Sequence, residues 1–257
     1  MGRNLTILRK QFLKVLQKLW TWPRDLNPGF QALCLQLREL FLINSKGLNF
    51  KVKRVGVLDY GTGNLRSVIK AFEFTGAEVS IIRSPVELAV IDALIFPGQG
   101  TFDQCMGSLA ESGLDKFIIK WIEADKPYFG ICLGLQVLFS SSEEGERSGL
   151  GLVEGKVKRF ALDTGLKIPH MGWNSIYWND DLEDDIMNEI DNGDQFYFVH
   201  SYHVCDTESS MTTYLTSYGY DFISGIRFGN SIATQFHPEK SQEKGLKLYR
   251  NFLEKLA

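Results

Sequence analysis

The spacing of hydrophobic positions changes character along the chain. Near the start, Leu5, Leu8, Phe12, Val15, Leu16 and Leu19 fall on one face of a helix, and a second apolar run over residues 30–43 follows Trp22-Pro23. From Arg54 onward, short apolar runs alternate with helix-spaced ones. Residues 55–58 read as a strand, Gly61-Thr62-Gly63 as a tight turn, and residues 65–74 as a helix with Val68, Ile69 and Phe72 inward. Strands are expected at 78–82 and 93–96, a helix at 114–124 and another strand at 128–131. This alternation predicts an α/β fold: a mixed, mainly parallel sheet flanked by helices, with its site at the carboxyl ends of the strands. Beyond Leu150 the runs become short and β-rich (157–160, 174–177, 195–199, 212–217 and 222–228), predicting additional, partly antiparallel sheet closed by a helix over 242–256.

Tyr128-Phe129-Gly130-Ile131-Cys132-Leu133-Gly134-Leu135-Gln136 places a cysteine between two glycines, where a strand gives way to a helix-spaced run (Leu135, Val137, Leu138, Phe139). That is the layout of a nucleophile elbow in a cysteine version. The tight turn lifts the side chain off the sheet, and the helix start behind it offers free N–H groups and a positive dipole end that favour thiolate over thiol. A cysteine filling a strand end would fit the same residues, so the assignment depends on a base elsewhere. Of four histidines, His237 alone follows a strand-like run (231–236) and precedes a turn with a carboxylate, Glu239. Cys132 as nucleophile, His237 as base and Glu239 as the group orienting it form the expected triad.

Charge divides the chain. Residues 1–54 hold eleven Lys or Arg against two acids, Asp25 and Glu39, a net of +9, whereas the remainder is −12 within a total of −3. The basic, acid-poor, amphipathic start has the character of a transit peptide or membrane-surface helix, or of an appendage with its own role. An upstream extension of the reading frame is a further alternative, although Met106 is the first methionine after Met1. The expected division is an N-terminal extension, 1–51, and a catalytic domain, 52–257. Cys34, Cys105, Cys132 and Cys205 lack paired spacing, which argues against disulfides and a zinc site and for a reducing, cytoplasmic compartment, with organelle targeting left open. Gly61-Thr62-Gly63-Asn64 lacks the third glycine of a dinucleotide loop and no G-K-[ST] follows, so a nucleotide site is not expected. No cofactor, metal, nucleic acid or membrane partner is expected for the catalytic domain.

Residues 130–136 (Gly-Ile-Cys-Leu-Gly-Leu-Gln) with 235–239 (Gln-Phe-His-Pro-Glu) resemble the class I, triad-type glutamine amidotransferases. Asp59-Tyr60-Gly61-Thr62-Gly63-Asn64-Leu65, Phe96-Pro97-Gly98-Gln99-Gly100, Ser142-Glu143-Glu144, Pro169-His170-Met171-Gly172-Trp173-Asn174, the 197–202 run Tyr-Phe-Val-His-Ser-Tyr and the 237–242 run His-Pro-Glu-Lys-Ser-Gln narrow the likeness. Together they are similar to the glutaminase subunits of imidazole glycerol phosphate synthases, over residues 55–257 and not over the N-terminal extension. The resemblance implies glutamine hydrolysis, with ammonia passed to a (β/α)₈-barrel cyclase subunit in histidine biosynthesis. It implies oxyanion donors in the Gly98-Gln99 segment and at Leu133, although valine is commonest at the position of Gln99. It implies substrate contacts at Gln136, Glu144, Ser201 and Tyr202, with Glu144 facing the substrate ammonium, and partner contacts at Asn64, Trp173, Asn174, Tyr197 and Lys240. His170, His200 and His203 are read as structural. Two alternatives stand beside this reading: the glutaminase subunit of another class I amidotransferase, and a non-enzymatic regulatory module on the same fold.

Overall fold

The computed structural model describes residues 52–61, 65–85, 91–162, 165–179, 185–207 and 211–256. The amphipathic runs of residues 1–51, the Gly61 turn beyond its first residue, and Asn64 lie outside the described residues.

The parallel half of the main sheet is built from β1 (Arg54–Leu58), β2 (Glu78–Ile82), β3 (Ala93–Gly98) and β4 (Tyr128–Cys132), in the order β2-β1-β3-β4. β4 is followed in the sheet by the last strand in sequence, Ser231–Thr234, which pairs with it in parallel. β5 (Lys156–Arg159), β8 (Tyr202–Cys205), β9 (Thr212–Ser217) and β10 (Asp221–Phe228) extend the sheet antiparallel beyond that strand, β11. Between β5 and β8 in sequence, β6 (His170–Ser175) and β7 (Gln195–His200) form a separate antiparallel pair.

β3 is buried along its whole length, as a strand covered on both faces must be. Alternation along β3 and β4 sends Ala93, Ile95, Phe129 and Ile131 to one core and Leu94, Phe96 and Tyr128 to the other. The first core is closed by α1 (Leu65–Phe74) through Val68, Ala71 and Phe72, and by α5 (Gln242–Glu254) through Leu248, Tyr249 and Phe252. The second is closed by α2 (Phe102–Ser112) and α3 (Leu114–Glu123).

Three local expectations are corrected. α2 was not anticipated, although Phe102, Cys105, Met106 and Leu109 keep helical spacing and are all buried. The helix after the cysteine, α4 (Leu133–Gln136), is a single turn rather than a run through Phe139, because the Val137, Leu138 and Phe139 carbonyls accept N–H groups of residues 150–152 instead of continuing the helical ladder. The strand expected at 174–177 begins at His170, where pairing of Trp173 with Tyr197 and His170 with His200 sets the register.

Candidate active site

β4 ends at Cys132 with φ 54° and ψ −103°, a conformation that non-glycine residues seldom occupy. The turn holds because three backbones interlock beneath it. A Cβ on Gly134 would lie 2.3 Å from the Phe96 carbonyl oxygen, and one on Gly98 would lie 2.4 Å from the Gly134 nitrogen, so β3 and α4 touch main chain to main chain. Tyr128, at the start of β4, donates its hydroxyl to the Gly134 carbonyl at 2.6 Å and pins the helix from below. The elbow expected from the sequence is therefore present, with the thiol at the carboxyl end of a central parallel strand. The other described cysteines are poor nucleophiles by comparison: burial pushes the Cys105 thiol up to about 12 and that of Cys205 upward as well.

β11 lies beside β4, with Thr234 opposite Ile131, so the chain beyond it passes Cys132. His237 follows, its N–H donated to the Tyr197 carbonyl at 2.9 Å and its carbonyl receiving the Ser241 hydroxyl at 2.7 Å. Pro238 then starts a short 3₁₀ turn, Pro238–Lys240, which turns Glu239 back onto the imidazole. His237 Nδ1 and Glu239 Oε1 are 2.8 Å apart, both side chains only 3% exposed. That fixes the ring with the buried Nε2 on the side of Cys132, close enough to the sulfur to interact with it but not in good hydrogen-bond geometry. Burial by itself would lower the His237 pKa, but the interactions with the Cys132 sulfur and Glu239 carboxylate outweigh it and push the value up to about 10. The Tyr249 hydroxyl of α5 reaches the second Glu239 oxygen at 3.5 Å.

A cavity of about 450 Å³ opens beside the thiol. Gly98, Gln99, Cys132, Leu133, Gln136, Glu144, Ser201, Tyr202, His237 and Lys240 all line it, so the expected oxyanion and substrate residues share one space with Cys132 and His237, while Glu239 reaches it only through the imidazole. Glu144 is half-buried, which pushes its carboxyl pKa up, and its Oε2 accepts the Phe102 N–H at 2.9 Å. Glu143 instead accepts the Arg159 N–H and is exposed. The Leu133 N–H heads α4, where no intrahelical carbonyl can take it. The Gln99 N–H is turned elsewhere: it is donated to the Tyr60 hydroxyl at 2.8 Å, and that hydroxyl donates to the Gln99 carbonyl at the same distance.

Outside the cavity, Met171 and Trp173 of β6 are 62% and 44% exposed, on the same face as their cross-strand partners Val199 and Tyr197. Trp173 packs edge-on to Tyr197 at 6.2 Å, and the Lys240 ammonium lies 5.6 Å from the Tyr197 ring centroid. Trp173, Tyr197 and Lys240 thus form one cluster, of which Lys240 also lines the cavity, whereas the Asn174 amide turns inward to the Ser217 carbonyl and His170. Sequence reasoning assigned no role to Tyr60 or to the side chain of Gln235, whose amide nitrogen is 3.4 Å from the Cys132 sulfur. Among the described residues no helix is long and apolar enough to cross a membrane, and no group of His, Cys, Asp or Glu could hold a metal ion.

The model of the family "Glutamine amidotransferase class-I" matches residues 56–256, and the chain belongs to that family. A crystal structure of a glutamine amidotransferase has the same fold, with TM-score 0.61 and 24% identity, covering 78% of this chain and 97% of that one. "Imidazole glycerol phosphate synthase subunit HisH" of Synechococcus sp. is 44% identical over 208 residues, 80% of this chain and 96% of that protein. "Imidazole glycerol phosphate synthase hisHF, chloroplastic" of Arabidopsis thaliana is 44% identical over 202 residues, 77% of this chain and 34% of that longer protein. Within the amidotransferases, the chain belongs with the HisH subunits of imidazole glycerol phosphate synthase.

Proposed function

We propose that this chain is the glutaminase subunit of an imidazole glycerol phosphate synthase, hydrolysing glutamine to glutamate and ammonia for a (β/α)₈-barrel cyclase subunit in histidine biosynthesis. The observation that carries the reading is the convergence of Cys132, the His237–Glu239 pair and the Leu133 N–H on one cavity beside an exposed apolar face. Cys132 gives its thiol proton to His237 Nε2, forming the imidazolium that the site favours, and the thiolate of this pair attacks the glutamine carboxamide carbon. The carbonyl electrons move onto oxygen, where the Leu133 N–H stabilises the charge. The C–N bond then breaks as His237 protonates the leaving nitrogen, giving ammonia and a thioester. Water, deprotonated by His237, cleaves the thioester to glutamate and restores the thiol. Glu239 holds the imidazole throughout. Glu144, Gln136 and the Ser201-Tyr202 segment hold the amino-acid end of the substrate.

A second N–H for the oxyanion would come from Gln99 once it leaves the Tyr60 hydroxyl. Docking of the cyclase on the face formed by Trp173, Tyr197 and Lys240 is the event that releases it, and it also keeps ammonia out of water, where protonation would end its nucleophilicity. Asn64, by resemblance to the family, is a further member of that contact, and Asn174 stands behind it as a support. The catalytic domain is residues 52–257, and the basic 1–51 segment is an appended targeting or docking element of a cytoplasmic or organellar enzyme. Steady-state glutaminase turnover of the full chain and of the 52–257 fragment, each with and without cyclase and its acceptor substrate, tests the proposal. Strong activation of both is expected. Equal turnover with and without cyclase would refute partner control, and absence of glutaminase activity in the complex would refute the function.

A further inference from the structure

Gln235 is fully buried, and its amide bridges two groups of the site. Its Nε2 donates to Cys132 Sγ at 3.4 Å, and its Oε1 accepts from Gln136 Nε2 at 3.0 Å. The orientation is dictated from outside. Gln136 Nε2 also donates to the Tyr202 carbonyl at 3.1 Å, and a carbonyl can only accept, so the amino end of Gln136 must face both partners. Gln235 must then turn its oxygen to Gln136 and its amino group, the donor end, toward the sulfur.

The same carbonyl fixes a second branch. Tyr202 O lies 2.7 Å from His200 Nδ1, which must carry the proton, leaving Nε2 of the neutral ring as an acceptor. His170 Nδ1 lies 3.0 Å from that Nε2 and therefore donates, and His170 Nε2 accepts from Asn174 Nδ2 at 3.2 Å. Asn174 is itself oriented by the Ser217 carbonyl, 2.9 Å from Nδ2, and by the Ser175 N–H on Oδ1. Burial favours the neutral form of both histidines, as this pattern requires. From Asn174 to the Gln235 oxygen each donor meets an acceptor, and reversing any member would oppose two donors or two acceptors.

We propose that Gln235 is a further catalytic residue, a donor that stabilises negative charge on Cys132 Sγ and sets its direction, and that the buried chain through Gln136, the Tyr202 carbonyl, His200 and His170 is the positioning device that ties this donor to Asn174 on the small sheet. An amide donor at a thiolate stabilises the attacking form directly, independently of the base. The inference rests on the proposed role of Cys132 as nucleophile.

The test is the pH profile of Cys132 alkylation by iodoacetamide in the full chain, read by mass spectrometry, with circular dichroism as the folding control. Gln235→Leu keeps volume and removes the donor; Gln235→Glu keeps shape and brings a carboxylate to the sulfur. Either, when folded, is expected to slow alkylation at neutral pH about tenfold or more and to move the profile to higher pH. His170→Phe, at the remote end, is expected to shift the profile in the same direction by less. Folded Gln235 variants with the wild-type profile would overturn the donor role, and an unmoved His170→Phe profile would overturn the positioning chain. Failure of Cys132 to alkylate at all in the wild type would instead strike at the nucleophile assignment itself.

Discussion

The backbone carbonyl of Tyr197 accepts the N–H of His237 at 2.9 Å, so the strand that carries this half-buried aromatic ring also holds the proposed base of the triad. The Tyr197 N–H in turn donates to the Ser241 hydroxyl at 3.0 Å, and that hydroxyl donates to the His237 carbonyl. If a partner docks on this face as proposed, any movement of the small sheet has a main-chain route to the imidazole. Trp173, beside Tyr197, is the proposed anchor of that surface. Trp173→Ala is expected to weaken cyclase binding by about 2 kcal/mol, roughly thirtyfold in Kd by titration calorimetry, whereas stability falls by less, about 1 kcal/mol, because 44% of the residue is exposed.

Replacing the nucleophile separates two activities. Cys132→Ala is expected to abolish glutamine-dependent synthesis by the complex and to leave synthesis from added ammonium salt intact, since the thiol acts only on the carboxamide. Both rates are read from the same product assay. Residual glutamine turnover in the variant would place the nucleophile elsewhere.

The base and its orienting carboxylate are expected to differ in cost. His237→Ala removes the proton carrier and should lower glutaminase turnover by about 10²–10⁴-fold. Glu239→Gln retains a group that can meet Nδ1 and is expected to cost less, with glutamine KM nearly constant in both. Equal, small losses would exclude His237 as the base.

Gly134→Ala tests the interlocked turn. Its new methyl would fall 2.3 Å from the Phe96 carbonyl oxygen, which is main chain and cannot swing away. A loss of about 1–3 kcal/mol in urea unfolding is expected. A wild-type midpoint would mean that β3 and α4 separate more readily than their contact suggests.

Two histidines set opposite pH limbs of stability. His237, pushed up to about 10, is held as the cation by its surroundings; its contribution is complete below the unfolded value of 6.5 and is lost as pH rises through about 10. His170 is lowered to about 4 by burial, so the fold accepts it neutral and loses stability as pH falls from 6.5 toward 4. Thermal midpoints measured against pH should show the alkaline fall reduced in His237→Gln and the acid fall reduced in His170→Gln. Unchanged limbs would assign the pH dependence to other groups.

The features legible in the sequence are those written in a few consecutive residues. The strand-turn-helix pattern around Cys132 and the His237-Pro238-Glu239 step each fold locally, and the parallel strands announce themselves as buried apolar runs. What escaped depends on partners far along the chain. Gln235 acquires its contact with Cys132 across 103 positions, and Tyr60 meets Gln99 across 39, so neither role has a local signature. The register of β6 was displaced for a related reason: His170 faces inward because His200 and Asn174 satisfy its ring, and no alternation in the segment itself reveals that. α2 was hidden by Gly107, which reads as a break but leaves room beside the Arg147 guanidinium, about 3.5 Å from where a Cβ would stand.

The strand leading to His237 is the last strand in sequence, yet it lies between β4 and β10 within the sheet. A chain emerging from the ribosome can complete β1 through α4, with its cysteine turn, long before that position is filled. Until β11 arrives, the thiol has neither imidazole nor Gln235 amide beside it, and the open flank of β4 has no parallel neighbour. Glutamine cleavage is therefore a property that only the finished chain acquires: a ribosome-bound or C-terminally clipped molecule cannot spend the cell's glutamine.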